Sequence, residues 1–162
     1  MATFKVIGLK QDGKYMDDNA RNDVIKYVTR ADKTPHHYVG GMAVNVDNAV
    51  DEMTVLATAY HKDNGLRLRH SVIGFEKDKG ITPGDANEIA RRAVEYFGDK
   101  YQTIYAVHED AGHIHAHIVM NSVSYIDGRK YYGTKKEYYE FIEYMKDVVR
   151  PYGIPFIPVR DE

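Results

Sequence analysis

The sequence of 162 residues contains no cysteine. That excludes disulfides, thiolate-held zinc, iron–sulfur clusters and a thiol nucleophile. No apolar run approaches the roughly 20 residues of a membrane span. The opening stretch Met1–Leu9 is too short and too mixed for a secretory leader. An excess of positive charge is also missing: 22 Lys and Arg face 24 Asp and Glu, for a formal net charge of −2. A chain so balanced does not coat nucleic acid by bulk charge, although a local basic cleft remains open to it. Internal repeats, low-complexity tracts and long linkers are absent as well, so residues 1–162 read as one domain. A cytoplasmic location is compatible with these absences.

What is present suits a folded core. Hydrophobic residues make up 43% of the chain and charged residues 28%, a globular balance rather than a disordered one. Ala2–Leu9 alternates and predicts a strand. Gln11–Asn19 is polar and reads as a loop. Ala20–Arg30 predicts a short helix, and Ala31–His37, broken by Pro35, a loop. Tyr38–Asn45 is a weaker strand signal. Asp47 is placed to cap a helix from Asn48 to about His61, and Asp63-Asn64-Gly65 is a turn. Leu66–Glu76 predicts a strand. Thr82 and Pro83 open a helix that Gly98 stops. Tyr101–His108 and Gly112–Tyr125 predict two strands joined by Glu109–His113 as a hairpin. Asp127-Gly128 turns the chain. Thr134 and Glu137 read as a capping box for a last helix, ended by Pro151 and Gly153. The sum is an α+β fold with a central, mostly antiparallel sheet of about five strands.

Four of the eight histidines fall within ten residues, in HEDAGHIHAHIVMN, His108 to Asn121. Alternate residues of a strand share a face. His113, His115, His117 and Asn121 therefore face one way, and Ile114, Ala116, Ile118 and Met120 face a core. His108 ends the preceding strand, within reach of His115 and His117 across a hairpin. Neutral imidazoles from adjacent strands make a divalent-metal site with open positions. The plainer alternative is a solvated polar face that happens to use histidine. Glu109 and Asp110 suit the role of orienting an imidazole N–H, while an acidic turn explains Glu109 equally well.

His108-x-Asp110, followed by His113-x-His115-x-His117-x-x-x-Asn121, resembles the metal-binding motif of relaxases, the mobilisation nucleases of conjugative plasmids and integrative elements, in the HUH endonuclease superfamily. Val24–Thr34 (VIKYVTRADKT) looks like that family's nucleophile motif. Tyr38–Asn45 and His70–Pro83 look like its intermediate segments, and Asn121–Tyr131 like the family's segment after the histidines. The segments occur in family order over nearly all of the chain. Two departures stand out. Gly74 precedes Phe75 where relatives often have Ser, so a hydroxyl contact is missing or is supplied by Ser71. Relatives also usually continue well beyond this length, which would make this chain the N-terminal part of a longer protein or a minimal relative.

The resemblance implies a Tyr that attacks a phosphodiester of single-stranded DNA at a transfer origin and becomes linked to the 5′ phosphate. It assigns Tyr27 as the nucleophile; composition alone does not choose it over Tyr15 or Tyr38. It assigns His108, His115 and His117 as metal ligands. His113 is left as a fourth ligand, a base near Tyr27 or a phosphate contact, and Asp110 as the group that orients His108 or takes the Tyr27 proton. The family points to Mg or Mn as the ion, while imidazoles also accept Zn, Ni or Co. Expected partners are single-stranded DNA, accessory relaxosome proteins and a coupling protein. Arg21, Lys26, Arg30 and Lys33 surround Tyr27 with charge suited to phosphate. Lys62, Arg67, Arg69, Lys77 and Lys79 flank one strand. Arg129 and Lys130 lie among tyrosines, a mixture that suits single strands, and Asn121 is grouped with these DNA contacts. Three other readings compete. A rolling-circle replication initiator would use a late nucleophile such as Tyr138 or Tyr139. A His-metal hydrolase of another substrate would have a closed pocket. A non-catalytic binding module would have lost the His site.

Overall fold

The computed structural model describes residues 1–7, 14–76, 80–110 and 112–159. The chain runs β1 (Ala2–Ile7), α1 (Ala20–Val28), β2 (Val39–Met42), α2 (Ala49–Ala59), β3 (Leu68–Phe75), α3 (Pro83–Gly98), β4 (Tyr101–Asp110), β5 (His113–Ser124), α4 (Lys135–Val149) and β6 (Phe156–Val159). One mixed sheet takes the strands in the order β2-β4-β5-β3-β1-β6. The architecture is α+β, as expected, with six strands rather than about five. The sixth is β6, which pairs parallel with β1 through Ala2↔Phe156 and Lys5↔Val159. Pro155 and Pro158 hide it from a propensity reading, but proline is tolerated at an edge, where one side of the strand needs no ladder bond.

Both faces of the sheet are covered. Helices α3 and α4 pack on one face through Ile89, Ala93, Phe141 and Met145, against Phe4, Ile73, Val107 and Ile118. On the other face Val24, Ile25 and Val28 of α1, with Met53 of α2, meet Leu68, Ile104 and Val119. Burial on both faces explains why β5 is covered without alternation from Ile118 to Ser124, opening with the apolar run Ile118–Met120.

Local signals set most boundaries. Thr82 and Asp85 form a reciprocal capping box at α3, with Pro83 in its first turn. At α4 the Thr134 side chain accepts from the Glu137 N–H, while its hydroxyl donates to the Glu137 carboxylate. Asn45, not Asp47, caps the turn before α2: its side chain accepts from the Asp47 N–H, and a short 3₁₀ turn, Val46–Asn48, precedes the helix. The β4–β5 hairpin is tighter than expected. Both strands continue through its polar residues, with Asp110↔His113 still paired. The chain then reverses at Gly112, whose φ of 85° is a conformation that glycine adopts without penalty. The predicted ends at Gly8 and Leu9, and the cations Lys77 and Lys79, lie outside the described residues.

Candidate active site

The hairpin register decides which imidazoles meet. His108 lies directly opposite His115, and Ala106 opposite His117. Opposed residues share a face, so His108, His115 and His117 all emerge on the α1 side of the sheet. The His108 and His117 rings approach to 4.1 Å between centroids.

Helix α1 is tied to this place by its C-terminal end. The His108 Nε2–H donates to the Val28 carbonyl at 2.7 Å, one of the carbonyls a helix end leaves without an internal partner. That bond anchors the residue next to Tyr27. The Tyr27 ring consequently stands edge-on to His108 at 6.1 Å and to His117 at 6.3 Å, and it is 44% exposed. The Lys14 ammonium lies 5.8 Å from the centres of both the Tyr15 and Tyr27 rings.

Each of the two close imidazoles has one nitrogen committed. A carbonyl only accepts, so His108 carries a proton on Nε2, and the nitrogen a neutral ring leaves for a metal ion is Nδ1. His117 Nδ1 meets His70 Nε2 at 2.9 Å, and His70 Nδ1 meets the Tyr15 hydroxyl at 2.9 Å. Burial, reinforced by neighbouring histidines, pushes His117 down to about 2. Burial, with Lys14 nearby, pushes His70 down to about 4. His115 is also lowered, mainly by burial. These imidazoles therefore stay neutral, which is the ligating form. Imidazoles held by hydrogen bonds at the far nitrogen are what divalent-metal sites use, so the donor chemistry fits such an ion. Among the described residues, no three His, Asp or Glu side chains are already drawn together into a closed ligand set.

The loop after α1 wraps the end of β4. Lys33 pairs with Asp110 at 2.8 Å, and His36 Nδ1 meets the Glu109 carboxylate at 2.5 Å. The bond from Lys33 holds the Asp110 carboxyl below the usual carboxylate range, making it a poorer proton acceptor. His113 is exposed beside it at the hairpin tip.

The expected DNA contacts divide into three groups. Lys26 and Arg30 are exposed near Tyr27, and Lys33 is half-buried. Arg21 and Asn121 are buried and engage each other at 3.3 Å. Arg21 also pairs with Asp63 at 2.7 Å, and Asn121 donates to the Met53 carbonyl and to Gln102. Those two side chains support the fold and offer no surface to a phosphate. Arg67, Arg69, Arg129 and Lys130 are each engaged by their own neighbours. Arg67 is held by Asp18 and Asp63, Arg69 lies over the Tyr131 ring, and Arg129 faces Asp127. Lys130 bonds the Asn64 carbonyl.

Three residues beside the site were given no part in it by the sequence: Lys14, Tyr15, which was weighed only as an alternative nucleophile, and His70, which only opened a family-like segment. The first two lie in a polar loop with no periodic signal. His70 is a lone strand histidine that only the register Val72↔His117 brings beside His117. Tyr138 packs on Phe4 at 6.1 Å, across the sheet from the imidazoles, so the late-tyrosine arrangement has no geometric footing.

Residues 27–154 match the family model described as relaxase, MobA/VirD2-like, nuclease domain. A Staphylococcus aureus protein named Protein rlx is 32% identical over 97 residues, covering 60% of this chain and 30% of the relative. Another Protein rlx of that organism is 33% identical over 107 residues, 66% of this chain and 33% of the relative. The group II intron-interrupted relaxase LtrB of Lactococcus lactis subsp. cremoris is 29% identical over 92 residues, 56% of this chain and 16% of the relative. The chain thus spans about a third or less of the length of these curated relatives.

Proposed function

The chain belongs to the MobA/VirD2-like relaxase nuclease family, and from that premise we propose that it nicks single-stranded DNA, strand- and site-specifically, at a transfer origin to begin mobilisation. The observation that carries this reading is the exposed Tyr27, held edge-on to two of the three expected metal ligands.

The Tyr27 oxygen attacks phosphorus, the P–O3′ bond breaks, and the 3′ oxygen leaves and takes up a proton. The product is a 5′-phosphotyrosine, and a 3′ hydroxyl can reverse the step because the ester keeps the bond energy. A phenol with a pKa near ~10 is a weak nucleophile at neutral pH until its proton is accepted. His108, His115 and His117 would hold a divalent ion, Mn or Mg by family resemblance and Zn, Ni or Co by ligand type. When bound, that ion neutralises the non-bridging phosphate oxygens as a Lewis acid. Asp110, paired with Lys33, orients the rim, and His113, exposed at the hairpin tip, serves as a base, a further ligand or a phosphate contact. Lys26, Arg30 and Lys33 contact the backbone of the strand. Accessory relaxosome proteins and a coupling protein complete the expected partners, and a cytoplasmic location suits this work. No helix of the described residues is long and apolar enough to cross a membrane.

The test is covalent capture. The protein, with Mn, is mixed with single-stranded fragments of the element that encodes it and run on a denaturing gel. A DNA adduct mapped to Tyr27, and absent in Tyr27→Phe, supports the reading. An adduct on another tyrosine, or one that persists in the variant, overturns the assignment.

A further inference from the structure

The chain Tyr15–His70–His117 has a part that the nicking reaction leaves unused. A neutral imidazole has one N–H and one bare nitrogen. Two facing imidazole nitrogens at 2.9 Å share a single hydrogen. If His117 is to offer Nε2 to an ion, its proton must be on Nδ1. His70 Nε2 must then accept it, His70 must carry its own proton on Nδ1, and the Tyr15 oxygen, 2.9 Å away, must receive that one. In the opposite direction Tyr15 donates to His70, His70 donates to His117, and His117 is left with an N–H where the ion needs a lone pair. The three residues are therefore one two-state unit. Tyr15 is 1% exposed and His70 4%, so water does not stand in for either partner.

We propose that His70 and Tyr15 are positioning residues, which hold His117 in the tautomer able to ligate a divalent ion. This rests on the metal-site part of the proposed nicking function. His70 touches neither DNA nor the ion; it acts through His117. Its loss leaves the His117 Nδ1–H buried and without an acceptor, a defect that commonly costs 10–100-fold in metal affinity at such sites.

The experiment measures Mn binding to the full chain by calorimetry, for the unmodified protein and for His70→Leu, His70→Gln and Tyr15→Phe. Glutamine restores an acceptor near the position of His70 Nε2; leucine does not. Expected are at least a tenfold loss for H70L, recovery to within about threefold for H70Q, and an intermediate loss for Y15F, whose His70 N–H loses its acceptor. The ¹H–¹⁵N imidazole spectrum of the Zn-loaded protein should show the His117 proton on Nδ1. A packing role alone would give H70L and H70Q similar affinities, and that equality overturns the proposal. So does a His117 proton on Nε2 in the loaded protein. If H70L does not fold, an unchanged affinity in Y15F overturns it. None of these readouts uses DNA cleavage, so they can fail while the Tyr27 adduct forms, or hold when it does not.

Discussion

Arg21 and Lys26 lie five positions apart on α1 and serve opposite ends. The Arg21 guanidinium is 4% exposed and binds Asp63 and Asn121. Removing it strands a partly buried carboxylate and a buried amide, so Arg21→Ala should lower unfolding stability by about 2–3 kcal/mol in urea titration. Lys26 is exposed. Lys26→Ala should leave stability within about 0.5 kcal/mol, weaken single-strand binding, and reduce the log–log salt slope by about 0.7. If the two variants gave the same pattern, this division would be wrong. The sequence told these residues apart poorly because their partners are remote: Asp63 is 42 positions from Arg21 and Asn121 is 100. Local charge marks a cation but not whether it faces a carboxylate or water. Tyr27 was legible only through the family motif, and His70 not at all, since its role needs the strand register.

The β4–β5 hairpin makes the same point at the scale of an element. Glu109 and Asp110 look like turn residues, yet His36 and Lys33 bind their side chains and the ladder runs on beneath them. The reversal is made at Gly112, the last position before β5. Gly112→Val places a β-branched side chain at φ 85°, which should cost about 1–2 kcal/mol. It should also weaken Mn binding by disturbing the His108↔His115 pair. Thr134→Ala is the matching control. It removes the cap of α4 on the opposite face, so it should cost about 1 kcal/mol while leaving the yield of Tyr27 adduct unchanged. An adduct lost in T134A would show the faces to be coupled. The helices and the four longer strands were readable because their caps, glycines and apolar spacing agree. The edge strand β6 was not, because two prolines mask a segment that only pairing with β1 makes extended.

As a whole, the molecule keeps uncharged histidines inside a two-faced fold, and that sets its response to acid. His70 falls to about 4 from 6.5 and His117 to about 2 from 6.5. Below pH 6.5 the unfolded chain takes up protons that the folded chain refuses. The contribution is fully present above that pH and is lost as pH falls toward 4, by about 1.4 kcal/mol per pH unit for each proton excluded. Metal-free protein should therefore show a falling urea midpoint from pH 7 to pH 4.5. A flat profile would mean these imidazoles ionise in place.

The early end of α1 has one more effect. Nine residues rise only about 13 Å, whereas the twelve of β5 extend about 40 Å. The helix stops beside His108, and Lys26, Tyr27, Arg30, His36 and His113 around that end of the sheet are exposed, as on an open ledge rather than in a tunnel. A polymer laid across a ledge needs no free end, whereas one drawn through a tunnel does. For the proposed nicking reaction, the place where one short helix stops would let Tyr27 meet a phosphate in the middle of an unbroken strand, without threading.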